Sequence, residues 1–470
     1  MIEATTTIVK NENVNRLRRE IFLLAWPAII ELILHTLVWN VDTAFMGRVG
    51  ADAVAAVGNG GQVYWTVIWA FGGLGTGVTA LVARAIGAGR RDAATGSAAQ
   101  ALRLAFFCGL AVMVTAFLGA GRVMGLTSLP AATQASAATY IRILAMGAPV
   151  YLPAMIALSA IRATGDTRTP MFVTGLLNVV NIILAWGLVF GHFGNQPLGV
   201  IGSALAAVLA QVFGAGLALA WVFSPRCRLG LRLSQLTRGR GPSGELARLS
   251  LPSGVESLTM DTARTFGMFF VTALGSVASA ASYVSMNAEA FSFMPGYGFA
   301  VAASILAGQK LGAGDEAGAK EAVRQCLVVG MAVMGGIGLF FLAVPSLFVR
   351  IFTGEPAVVR MASQCLRVAG FAQPLMAVTD ILCGSLRGAG NTRTPLFITM
   401  GGAWLVRVPL TFVLVAWLKL PVYYAWVAML ADWGARAVVT FLVFRTGRWL
   451  KTRVRVGAPA PESAAPVQTA

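Results

Sequence analysis

The sequence predicts an all-α polytopic membrane protein with twelve transmembrane helices in two six-helix pseudo-symmetric lobes. Three observations predict it. Hydrophobic residues make up 57% of the 470 and charged residues 12%, against about 45–50% and about 25% in soluble domains. Apolar runs of about 20 residues, enough to cross a bilayer as a helix, recur along nearly the whole chain. Adding 225 to a position in the first half lands on its counterpart in the second: Pro27 on Pro252, Glu31 on Glu256, Gly87 on Gly312, Pro149 on Pro374, Arg162 on Arg387. The Thr-Arg-Thr-Pro at 167–170 recurs at 392–395 by the same step. Each half holds six spans, so both begin on one side of the membrane. They are parallel repeats about an axis along the membrane normal, with a site expected near the midplane.

The net charge of +17 suggests nucleic acid in a soluble protein, but its distribution excludes that here. About 25 of the 36 Lys and Arg fall in alternate loops and both tails, and about five in the opposite loops. The basic side is cytoplasmic and both termini lie inside. The expectation is a multi-pass protein of a bacterial cytoplasmic membrane. Cys108, Cys227, Cys326, Cys365 and Cys383 have neither metal-site nor disulfide spacing and read as core filler.

Residues 1–20 form a polar cytoplasmic tail whose Arg16, Arg18 and Arg19 anchor the first span. Span 1, residues 21–46, is long enough to cross with some tilt, at roughly 39 Å of helix. It carries Glu31, His35 and Asp42. Steps of four, three and four put Glu31, His35, Val38 and Asp42 on one helical stripe, which must face protein or water. Carboxyls near mid-membrane usually mark ion pathways or proton relays; the alternative is a carboxyl satisfied by a neighbouring helix. His35 either relays a proton to Glu31 or donates a hydrogen bond to it.

Spans 2 to 6 fall at 58–83, 97–120, 135–160, 170–192 and 198–223, completing a first lobe of 21–223. In span 2, Tyr64, Trp65 and Trp69, with Trp39 of span 1, offer aromatic faces to a cationic substrate or form an interfacial belt. The polar stretch 224–248 is a cytoplasmic linker. Spans 7 to 12 fall at 249–273, 283–308, 322–345, 358–384, 394–417 and 422–445, giving a second lobe of 249–446. Span 7 carries Glu256 and Asp261. Arg264, three residues after Asp261, makes that acid a neutralised partner, and the i,i+4 spacing gives Asp432 and Arg436 the same reading. Glu289 in span 8 and Asp380 in span 10 have no such in-helix partner, leaving Arg407 available to both. Glu289 and Asp380 are therefore candidates to line a cavity, and Glu256 and Asp261 join them as candidates for the substrate cavity. Residues 447–470 form a disordered cytoplasmic tail, Ala- and Pro-rich from Val456.

The paired loops Arg162–Pro170 and Arg387–Pro395 have the composition of tight turns: glycines, capping Asp166 or Asn391, and Pro at a helix start. Their arginines read as inner-side anchors that identify the fold rather than a binding site. Gly87-Ala-Gly89 and Gly312-Ala-Gly314 read as helix ends. Neither is a phosphate loop, because no Lys-Ser/Thr follows the glycines.

Two six-span repeats, the early prolines of spans 1 and 7, Val41-Asp42-Thr43, Gly-Ala-Gly after spans 2 and 8, and Leu386-Arg-Gly-Ala-Gly-Asn-Thr-Arg393 together resemble the multidrug and toxic compound extrusion family. The likeness covers about residues 20 to 446 and points to the branch named for DNA-damage induction. It implies cation-coupled export of bulky, often cationic amphiphiles through a V-shaped pair of lobes. On that resemblance the coupling site centres on Asp42 in the first lobe, with Asn181 as polar partner from the Asn178-Val-Val-Asn181 stretch. Pro27 matches a proline whose helix bends when the acid protonates. Glu31 and Asn178 complete the candidate coupling set. Ala185 and Ala207 stand where the family often has Asp and Thr, and Met376 where another branch has Asp. These replacements weaken a sodium site and favour a proton, for which one carboxyl in a dry pocket is enough.

The expectation is thus a proton-coupled multidrug antiporter, with sodium less favoured, that needs no cofactor, metal or nucleic-acid partner and acts as a monomer in the lipid bilayer. A lipid-linked precursor flippase of the same superfamily is the alternative and would want a strongly cationic cavity. An integral-membrane enzyme would need a clustered nucleophile or metal site, for which His35 and His192 provide no spacing. A passive channel fits a doubled fold with embedded acids less well than alternating access does.

Overall fold

A computed structural model of the chain describes residues 2–194, 196–238 and 243–454. The spans are Val14–Val49 (which continues a helix from Ile2), Ala51–Gly87, Arg91–Gly125, Ala131–Ala163, Arg168–Phe190 and Gly199–Phe223 in the first lobe. In the second they are Ser243–Thr272, Ser276–Gly312, Glu316–Ala343, Pro356–Gly388, Arg393–Trp417 and Tyr423–Arg445. Among the described residues eleven of these are long and apolar enough to cross a membrane. The twelfth, span 7, is 30 residues long but carries Glu256, Asp261 and Arg264 along its length. Most spans outrun the apolar runs that announce them, because helical hydrogen bonding continues past the last hydrophobic residue into the polar interface.

The two lobes do not divide cleanly at the linker. The amino-terminal end of span 1, at Ile21, Leu24 and Ala25, packs into the core of the second lobe. The amino-terminal end of span 7, at Leu246 and Leu249, packs into the core of the first. This exchange holds the lobes together at the end of the bundle nearest the amino terminus.

The seam there obeys the repeat. A Cβ on Gly87 would overlap the carbonyl oxygen of Gln309, and one on Gly312 would overlap that of Arg84; 84 and 309, like 87 and 312, differ by 225. Gly73 packs against the backbone of Ser250 and Gly254, and its counterpart Gly298 against Ala25 and Ile29. Two hydrogen bonds cross in the same sense: Arg84 Nη2 donates to Ala389 O and Gln309 Nε2 donates to Ala163 O, both at 2.9 Å. Gly87 and Gly312 are therefore close-approach residues as well as helix ends. With the seam shut, the space between the lobes reaches toward the opposite end, where Val271 and Ser282, on either side of the turn between spans 7 and 8, line it.

The linker is more ordered than its polarity predicts. Cys227, Leu229 and Leu231 are buried, Arg228 donates to Thr164 O, and Leu233–Arg238 is a short helix. The tail expected to be disordered from 447 remains packed through 454. Trp449 is buried on Phe444 in a 3-10 turn, and Val454 fills the space beside Gly390. Two apolar side chains there find a hydrophobic surface that a reading of local composition does not reveal. The Ala- and Pro-rich segment Val456–Ala470 lies outside the described residues.

Candidate functional site

A cavity of about 760 Å³ separates the lobes and is lined from both. On the first-lobe wall Glu31 does not face Asp42. Arg162, at the end of span 4, reaches it with Nη1 at 2.5 Å from Oε1, while Nη2 donates to Ser159 Oγ at 2.8 Å. On the opposite wall Arg387 Nη2 lies 2.6 Å from Glu256 Oε1, which also accepts a hydrogen bond from Thr399 at 2.8 Å. Both pairs line the cavity. The arginines of the paired loops are thus part of the site and not merely inner-side anchors. Burial explains the difference: a carboxylate removed from water is held by a partnered cation, and these arginines are the ones within reach.

Pro27 lies below Glu31 in span 1, where its missing N–H leaves the Leu23 carbonyl without its usual helical donor. Thr167, in the paired loop, turns its hydroxyl toward that carbonyl at 3.4 Å.

The remaining cavity charges belong to the second lobe and break the symmetry, and one of them, Arg436, is held by an acid that does not itself line the cavity. Asp432 and Arg436 form the expected pair, with Nε at 2.6 Å and Nη2 at 2.7 Å from the two carboxylate oxygens, fully buried. Asp261 and Arg264 stand 4.0 Å apart and remain partly exposed. Glu289 and Asp380 line the cavity, and Glu289 Oε1 and Asp380 Oδ2 are buried without hydrogen-bond partners. Arg407 lines it too. Among the described residues it makes no ion pair within 4.0 Å with either acid. Span 11 winds into π-helical turns at Gly402–Arg407 and Phe412–Trp417, on either side of Pro409. Its counterpart, span 5, is a regular α-helix, with Ile182 where Arg407 stands.

Asp42 is set apart from all of these. It is buried in the first lobe, off the cavity, with Oδ1 unpartnered. Asn181 is buried with its own Oδ1 unpartnered, and among the described residues no hydrogen bond joins it to Asp42. Asn178 instead donates to Leu34 O at 2.7 Å. The stripe on span 1 is real, but eleven residues of helix, roughly 16 Å, separate Glu31 from Asp42, so one acid lies on the cavity wall and the other off it. His35 stays near Glu31 and stands edge-on to Trp69.

Of the four aromatic candidates only Trp69 lines the cavity. Tyr64 is buried in the first-lobe core, Trp65 packs edge-on between Tyr64 and Tyr151, and Trp39 lies over Gly61. Helix-face arithmetic on span 2 does not separate the cavity side from the core side, because both are apolar. For Arg162 and Arg387 a signal was present: each follows its glutamate by 131 residues, and the repeat preserves that pairing.

Comparisons with known proteins follow the same two-part pattern. The family model described as MatE matches residues 27–187 and again 252–413. A probable multidrug resistance protein, NorM, of Thermotoga maritima is 32% identical over 94% of this chain and 95% of its own length. An uncharacterized transporter, YisQ, of Bacillus subtilis is 24% identical over 92% and 95%. Among solved structures, a multidrug resistance MATE family transporter in an outward-facing conformation superposes with a TM-score of 0.85 at 21% identity, covering 93% of this chain and 97% of that one. A MOP superfamily transporter from Pyrococcus furiosus gives the same values.

Proposed function

This chain belongs to the MatE family of multidrug and toxic compound extrusion transporters, and on that premise we propose that it exports bulky organic cations or cationic amphiphiles in exchange for protons. The observation that carries the reading is the placement of its unpartnered carboxyl oxygens. Two, on Glu289 and Asp380, face the cavity; the third, on Asp42, lies alone in the first lobe. A buried carboxylate without a partner is costly as an anion, so each of these sites gains from a bound cation or proton.

In this mechanism the cation lies against Glu289 and Asp380, with Trp69 and the apolar wall covering its body. A proton entering from the open end neutralises Asp42 and changes how span 1 packs near Pro27, which biases the lobes toward release. The seam at Arg84 and Gln309 then opens to admit substrate from the inner side. A ligand shifts such an equilibrium only by its difference in affinity for the two states. Ala185 and Ala207, both buried and without side-chain oxygen, support a proton over sodium. The cavity arginines support an organic cation over a lipid-linked phosphate, since four of the five that line it, Arg162, Arg264, Arg387 and Arg436, each face a carboxylate, and Arg407 alone is left without one within 4.0 Å among the described residues.

The test is substrate flux in proteoliposomes under an imposed pH gradient and then under a sodium gradient. Proton-driven efflux of a cationic dye is the expected result. Efflux driven by sodium alone would overturn proton coupling, and transport of lipid-linked substrates without dye flux would overturn the substrate class.

A further inference from the structure

Basic residues are scarce at the end of the bundle opposite the amino-terminal segment, yet three arginines of that end converge on one pocket. Arg350 follows the short helix Pro345–Val349, and Arg360 and Arg367 lie within the first twelve residues of span 10. The latter two are seven residues apart and so share a helical face. With Ser346, Ser363 and Gln364 they line a pocket of about 380 Å³ that no acidic residue lines. Among the described residues, none of the three arginines has a carboxylate within 4.0 Å.

Ser363 is a second, independent sign of a ligand. It is 9% exposed, and its Oγ is buried without a hydrogen-bond partner while lining the same pocket. Planar guanidinium forks with a neighbouring hydroxyl match the oxygens of a phosphate group. Leu347, Ile351 and Phe371, in the same segments, are large, apolar and exposed. Cations at the edge of such an apolar surface lie at headgroup depth, where each contributes to attraction for anionic lipid.

We propose that this pocket binds the phosphodiester headgroup of an anionic phospholipid in the leaflet opposite the amino terminus, which is the outer leaflet on the orientation the basic loops predict. Inorganic phosphate shares the polar chemistry but makes no use of the apolar rim. The site stands apart from the central cavity and does not depend on the transport reading.

The experiment is thermal unfolding of the full chain in detergent, titrated with short-chain phosphatidylglycerol, phosphatidylcholine or inorganic phosphate, with lipid retention followed by native mass spectrometry. Phosphatidylglycerol alone is expected to raise the melting temperature. The Arg360→Gln/Arg367→Gln variant is expected to weaken its apparent affinity about 30-fold. Arg226→Gln/Arg232→Gln, on the other face, is expected to keep it. Arg350→Gln and Ser363→Ala, each alone, serve as gentler variants should the double one fold poorly, with smaller losses expected. An equal shift with phosphatidylcholine or inorganic phosphate, no shift at all, or an undiminished shift in the pocket variants would overturn the proposal.

Discussion

Arg162 holds Glu31 across the first-lobe wall of the cavity at 2.5 Å, and the repeat reproduces the arrangement at Arg387 and Glu256. These are the cavity charges the two lobes have in common. The second lobe has Glu289, Asp380 and Arg407 where the first has Tyr64, Met155 and Ile182; the first has Asp42 where the second has Gly267. A duplicated scaffold thus carries two unlike electrostatic halves, as expected if substrate and coupling ion occupy different lobes.

Removing one member of the shared pair leaves a buried charge without its counter-ion. Arg162→Ala is expected to lower stability by about 3 kcal/mol, whereas Glu31→Gln/Arg162→Gln is expected to lower it less. Thermal unfolding in detergent checks this, and equal losses in the two variants would show that the pair is no more than packing.

Asp42→Asn removes the ionisable group but keeps its shape. Proton-driven efflux is expected to vanish while fluorescence polarisation still reports wild-type binding of a cationic dye, because Asp42 does not line the cavity. Undiminished efflux by a well-expressed variant would remove Asp42 from coupling.

Glu289→Gln and Asp380→Asn are expected to act on binding instead. Each is expected to weaken dye affinity about tenfold, the size of a lost charge-assisted contact. Wild-type affinity in both variants would move the substrate elsewhere in the cavity.

Gly312→Val places side-chain atoms against the Arg84 carbonyl, where even a Cβ is refused. Together with Gln309→Ala, which removes the hydrogen bond to Ala163, it is expected to populate states with the seam parted. Spin-label distances across the seam are the measurement; distributions like those of the wild type would argue that the exchanged amino-terminal ends of spans 1 and 7 hold the lobes without it.

The chain itself determined the membrane fold, because long apolar runs and a 225-residue repeat are properties of order along the sequence. It also determined the Asp432–Arg436 pair, since helical geometry brings residues four apart together. Tertiary structure decided the rest. Glu31 and Asp42 share a helical stripe, yet the packing of the other helices places one on the cavity and the other inside the lobe. Arg162 was legible as a turn residue, and only the tertiary packing that brings its side chain within reach of span 1 made it the partner of Glu31. Helical periodicity says which side chains share a face but not what that face meets, and in a bundle apolar on nearly every surface, that is settled by which helices come together.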